Sequence, residues 1–112
     1  MNTPPRAIGH IGITVPDLAA AVDWYQEVLG FRLIGPPAEI DVSNGGPLAR
    51  HTEDIFGPGC SRWRFAQLST ANGTALEICE FIDPGTETPD DNFRYWRQGI
   101  FLSASSTPTC PA

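Results

Sequence analysis

The chain of 112 residues has no lysine, and its seven basic residues, all arginine, face thirteen acidic ones. The formal net charge is −6 and the isoelectric point lies near 4.6. Phosphate recognition needs a basic face, so this balance argues against nucleic acid as a partner. It argues equally against an anionic membrane surface. Long apolar runs are also missing: none approaches the roughly 20 residues needed to span a bilayer. The opening Met1-Asn2-Thr3-Pro4-Pro5-Arg6 has no apolar core of a signal peptide. Cysteine is scarce, with only Cys60, Cys79 and Cys110, and no C-x-x-C pair. A zinc ribbon and a thioredoxin-type motif are thereby excluded, and free thiols in a cytoplasmic protein are expected. The missing lysine reads as the coding bias of a GC-rich genome, without physical consequence.

What is present is ordinary globular composition, 41% hydrophobic and 18% charged, which excludes disorder. The length allows one domain. Eleven glycines and eleven prolines predict many loops.

Residues 7–15 alternate as a strand: Ala7, Ile11, Ile13 and Val15 on one parity, Ile8, His10, Gly12 and Thr14 on the other. Asp17 is a good N-cap, and Leu18, Ala21, Val22, Tyr25, Val28 and Leu29 form one helical stripe ended by Gly30. Phe31–Ile34 is a second short strand. Residues 35–61 are rich in Gly and Pro and read as a long loop, of the kind usually functional or mobile, with a helical turn at Thr52–Phe56 capped by Thr52. Residues 62–70 and 75–82 read as two strands of a hairpin joined through Asn72-Gly73. A polar linker follows over 83–98, with a helical turn near Asn92–Trp96, and another strand begins at Gln98-Gly99-Ile100-Phe101. The predicted order is β-α-β-loop-β-β, a linker, and an unfinished strand.

His10 and Glu77 each sit in a predicted strand where an apolar residue would be the default. A carboxylate in a strand interior must be paired, solvated or bound to a metal. Imidazole plus carboxylate suits divalent Zn, Fe, Mn, Ni or Co, but two donors make only half of a usual site. The ordinary alternatives are an inert histidine in a polar cleft and an edge-strand surface carboxylate. His51 lies in the glycine-rich stretch, where a solvated loop histidine is the ordinary reading and a substrate contact or proton shuttle the functional one. Trp63 and Phe65 share one face of their strand, Arg62 and Arg64 the other. Either pair can line a binding cleft, and the sequence leaves the inward parity open. Cys79 shares the parity of Glu77 and reads as a small buried hydrophobe.

Gly9-His10-Ile11-Gly12-Ile13, Val15-Pro16-Asp17-Leu18, Trp24-Tyr25, Val28-Leu29-Gly30-Phe31 and Leu76-Glu77-Ile78, in this order and spacing, resemble the vicinal oxygen chelate family (glyoxalase, bleomycin resistance protein, extradiol dioxygenase) over roughly residues 7–101. The resemblance implies an α+β fold built on a βαβββ module, two of which make one cup. It implies that each module offers one ligand from its first strand and one from its fourth to a shared divalent metal (Zn, Ni, Mn, Fe(II) or Co). His10 matches the first-strand histidine and Glu77 the fourth-strand glutamate, which can also serve as the catalytic base. Glu80, of opposite parity, should face away from the cup.

Residues 1–112 are therefore expected to form a single domain: the module at 7–82, the linker at 83–98, and an aborted second module with an irregular tail at 99–112. Leu102 stands where a metal-binding relative would place its next histidine. The uncharged tail reads as a shifted reading frame. The implied function is that of a metal-dependent enzyme acting on a small substrate with vicinal oxygens, as isomerase, lyase or dioxygenase, with Trp63, Phe65 and His51 as substrate contacts. A homodimer would be needed to complete the cup. The alternatives are a metal-free binding or resistance protein of the same fold and an inactive truncated product.

Overall fold

Asp17 and Gly30 bracket the first helix, α1 (Leu18–Leu29), as the sequence predicts. The Asp17 carboxylate accepts the Ala20 N–H at 3.1 Å. Gly30, in the left-handed region at φ 69°, ends the helix. Its N–H donates to the Gln26 carbonyl, and the Phe31 N–H reaches back to that of Tyr25. The computed structural model describes residues 2–89 and 96–98. The other elements are β1 (His10–Thr14), β2 (Arg32–Leu33), β3 (Ala38–Asp41), a 3-10 turn (Val42–Asn44), α2 (Pro47–Phe56), β4 (Arg62–Ser69) and β5 (Ala75–Asp83). Of the strand expected to begin at Gln98, residues 99–101 lie outside the described residues, as do the tail and the Asn92–Trp96 turn apart from Trp96.

The fold is α+β, with one five-stranded sheet in the order β1-β5-β4-β2 and β3 also paired to β4. β4 and β5 form the predicted antiparallel hairpin, Ser69 opposite Ala75 and Gln67 opposite Glu77. β1 lies parallel to β5, with Gly12 opposite Glu77 and Thr14 opposite Cys79. In-register neighbours project to the same side of a pleated sheet. One face therefore carries Ile13, Ile78, Ala66 and Leu68, and α1 covers it with Leu18 and Val22. Leu68 and Ile78 are fully buried there. The α1 stripe differs from expectation at one position, Val28, which is 59% exposed because the sheet beneath the helix's last turn is only the two-residue β2.

The larger correction concerns residues 35–61, which are not a loop. They hold β3, the 3-10 turn and the ten-residue α2. The Gly-Pro pairs that suggest a loop bound a helix instead. Gly46 at φ 91° precedes Pro47, and Gly57 at φ 80° closes the other end with its N–H on the Glu53 carbonyl. Proline at the first helical turn loses no bond, since its N–H would have no partner within the helix. Thr52, expected as a cap, sits inside α2 with no measurable exposure. β1 is also shorter than expected, so His10 opens the strand and is exposed.

Glu80 faces the α1 side of the sheet, as its parity predicts. One oxygen accepts the Leu18 N–H at 2.8 Å and the other meets Arg64 Nη1 at 3.3 Å. The carboxylate thus satisfies an orphan donor at the positive end of α1. Arg62 and Arg64 both bind Glu39 on this outer surface, so the arginine parity points away from the concave face. Glu80→Ala is expected to lower stability by about 1–2 kcal/mol in urea denaturation, with Glu80→Gln recovering most of it.

Candidate functional site

The sheet face not covered by α1 carries His10, Gly12 and Thr14 from β1, Glu77, Cys79 and Phe81 from β5, and Gln67, Phe65 and Trp63 from β4. α2 packs over one end of it. Ala49 and Thr52, one turn apart on α2, are buried against the sheet. The Thr52 hydroxyl donates to the Leu48 carbonyl at 2.8 Å and accepts the Trp63 indole N–H at 3.0 Å. Two polar groups that would each be costly to bury alone satisfy one another. Phe56 adds edge-to-face contacts with Trp63 and Phe81, at 5.1 and 5.3 Å between centroids.

Between α2 and the open end of the sheet lies a cavity of about 630 Å³. All five residues singled out in the sequence, His10, His51, Trp63, Phe65 and Glu77, line it. They do not contribute equally. Trp63 is only 4% exposed, so it forms the floor, with its N–H already used by Thr52. Phe65 stacks on Trp63 at 5.1 Å and is half-buried. His51 lies on the surface of α2, not on a loop, and is exposed.

Glu77 is half-buried and held from two sides. Gln67 Nε2 donates to Oε2 at 3.0 Å, and the Cys79 thiol donates to Oε1 at 3.6 Å. His10 shares its face, two residues before Gly12 on the neighbouring strand. A side chain at Gly12 would meet nothing within 4 Å, so the space beside Glu77 is open. Among the described residues, no three side chains of His, Cys, Asp or Glu gather closely enough to hold a metal ion. The concave face of one chain thus presents a histidine and a carboxylate at one end of a cavity whose other polar lining residues are Thr14, His51, Thr52 and Gln67.

Burial pushes the Cys79 thiol up to about 12, reinforced by the negative charge of Glu77 and by the hydrogen bond donated to it. Burial likewise raises Cys60. Both thiols stay protonated at neutral pH and neither is a nucleophile there. Sequence reading passed over Gln67, Leu48, Ile55, Phe56 and Phe81. The signal for Gln67 was available: it continues the parity of Trp63 and Phe65, a polar residue on an apolar strand face. The signal for Leu48 and Ile55 was not, because it depends on a helix hidden by its flanking Gly-Pro pairs.

Comparison with protein families matches residues 7–104 to the Glyoxalase/Bleomycin resistance protein/Dioxygenase superfamily. No curated protein and no solved structure matches the chain.

Treatment of the folded protein with iodoacetamide at pH 8, followed by peptide mapping, is expected to leave Cys60 and Cys79 unmodified. Both should be alkylated rapidly once the chain is denatured.

Proposed function

The chain belongs to the Glyoxalase/Bleomycin resistance protein/Dioxygenase superfamily, and on that premise we propose that it is a metal-dependent enzyme acting on a small substrate with two neighbouring oxygens. The observation that carries this reading is the shared cavity. His10 and Glu77, 67 residues apart in sequence, line the same concave face, where the register sets Glu77 opposite a glycine with open space above it. Imidazole and carboxylate are a fitting donor pair for divalent Zn, Ni, Mn, Fe(II) or Co. They are two of the three or four protein ligands such an ion needs. A two-fold dimer supplies the rest by setting the same pair of a second chain against the first.

A divalent ion held there would act as a Lewis acid toward the two substrate oxygens. The chain's own groups do the remaining tasks. His10, exposed at the start of β1, is the less enclosed of the two donors. Glu77, fixed by Gln67 and Cys79, is the group positioned to take a proton from a carbon next to a substrate oxygen. Trp63 and Phe65 exclude water from the floor, and His51 meets the substrate from α2. The domain we propose runs over residues 7–82 as the module, with 83–98 as the linker. The compartment we propose is the cytoplasm, where the free thiols Cys60 and Cys79 remain reduced.

One observation favours a second reading. Both oxygens of Glu77 already accept bonds from protein donors, and aromatic rings floor the cavity. A metal-free binding protein of the same fold would have that arrangement.

Native mass spectrometry of the purified chain, after exposure in turn to Zn, Mn, Ni and Fe(II), separates the two. The enzyme reading expects a metal-loaded dimer, loss of metal in His10→Ala, and affinity weakened by at least about tenfold in Glu77→Gln. A chain that takes up none of the four metals, or one whose metal content is unchanged in both variants, supports the binding protein instead.

A further inference from the structure

Glycine follows asparagine at Asn44-Gly45 and at Asn72-Gly73. Such a pair carries its own reaction. The nitrogen of the second residue can attack the side-chain amide carbon of the first, and glycine, with no Cβ, obstructs the approach least. By sequence the two pairs are equivalent. Both asparagines are exposed, and both glycines have positive φ, 67° at Gly45 and 88° at Gly73. The structure separates them.

Attack requires the glycine nitrogen to lose its proton. At Gly45 the N–H donates to the Val42 carbonyl at 3.1 Å, closing the 3-10 turn. That proton is withheld from base until the turn opens. At Gly73, among the described residues, no group accepts the N–H. The two side-chain amides differ as well. The Thr70 hydroxyl donates to Asn72 Oδ1 at 2.8 Å, and it also reaches the Thr74 carbonyl. A donor on the amide oxygen stabilises the negative charge that builds there during attack. The hydroxyl beside Asn44, on Ser43, is turned instead to Asp41 Oδ1 at 2.6 Å.

We propose that Asn72 is a site of spontaneous modification in the folded protein, deamidated through Gly73 with help from the Thr70 hydroxyl, and that the isoaspartyl product loosens the start of β1. A base takes the Gly73 proton, and the nitrogen bonds to Asn72 Cγ. The Cγ–Nδ2 bond breaks and ammonia leaves with a proton, which gives a cyclic imide. Water then opens the imide. Cleavage at Cγ yields aspartate. Cleavage at the main-chain carbonyl yields isoaspartate, whose backbone passes through the side chain and is longer by a methylene. Nothing is oxidised or reduced. The hairpin tip that would lengthen also anchors β1. The Thr74 hydroxyl donates to the Ile8 carbonyl at 3.3 Å, and the Ala75 N–H to the Gly9 carbonyl at 3.0 Å. His10 pairs opposite Ala75. A longer backbone between Thr70 and Thr74 displaces these donors, and with them the strand end that carries His10. The inference is independent of the metal-enzyme reading.

The test incubates the full chain at neutral pH and follows both asparagines by peptide mapping, with isoaspartate detected by enzymatic methylation. Asn72 is expected to deamidate at least about tenfold faster than Asn44 in the folded protein, and the two rates to converge in urea. Thr70→Val is expected to slow the reaction at Asn72 by about threefold or more, and Thr70→Ser to restore it. A circular-dichroism melt confirms that both variants fold. The isoaspartyl form, isolated by anion exchange, is expected to exchange its amide hydrogens over residues 8–14 faster than the unmodified chain. Asn72→Asp, which adds the charge without the methylene, is expected to keep them protected. Equal rates at the two asparagines in the folded chain, no deamidation of Asn72, or a rate not lowered in Thr70→Val would overturn the site. Unchanged exchange over β1 in the isoaspartyl form would overturn its consequence.

Discussion

β1 reaches the sheet as a parallel neighbour of β5, and the position of nearly everything else on the concave face follows from that pairing. Parallel strands cannot be joined by a tight turn, so α1 must cross over between β1 and the rest of the sheet. In crossing, it covers one face and leaves the other open. The register then decides which residues share the open face. Gly12 falls opposite Glu77, His10 lies two positions before it, and the carboxylate borders space that no side chain of β1 fills. A slip of one residue would turn His10 toward α1 and Ile11 into the cavity. Ile13 and Ile78, paired across the same two strands and packed against Leu18 and Val22, hold the register.

The two glutamates of β5 show how parity divides structure from chemistry. Glu80 goes to the covered side, where it caps α1 and joins the arginine network of the outer surface. Glu77 goes to the open side, where the Gln67 amide and the Cys79 thiol donate to it. The same residue type on one strand, three positions apart, thus serves a helix terminus in one case and a cavity in the other. The charge of Glu80 meets the helix dipole and Arg64, and that of Glu77 borders the cavity.

α2 gives the cavity its second side. It is a short helix of modest apolar content, and its attachment rests on few groups: Ala49, Phe56, and the hydroxyl of Thr52 on the indole of Trp63. That single buried polar contact explains why a threonine occupies the most enclosed position of the helix. It also explains why the helix can spare Leu48 and Ile55 for the cavity. Among the described residues, Glu77 is the only carboxylate lining the cavity.

The amino-acid order alone determined the local units: the Asp17 cap and the Gly30 stop, the Asn72-Gly73 hairpin, the alternation of the strands, and the opposite facing of Glu77 and Glu80. These are legible because each depends on neighbours within a few residues, through capping bonds, left-handed glycine or the two-residue strand period. It also marked His10 and Glu77 as unusual for their positions, since polar groups in apolar strands need a reason. Only the tertiary structure decided that Trp63 and Phe65, not Arg62 and Arg64, face inward, because parity is relative until α1 selects one side of the sheet. The same holds for α2. Its Gly-Pro boundaries resemble those of a loop, and its buried threonine looks like a cap until Trp63, eleven residues away, supplies the hydrogen-bond partner. The cavity itself is a long-range object, assembled from five elements whose contacts no local pattern encodes.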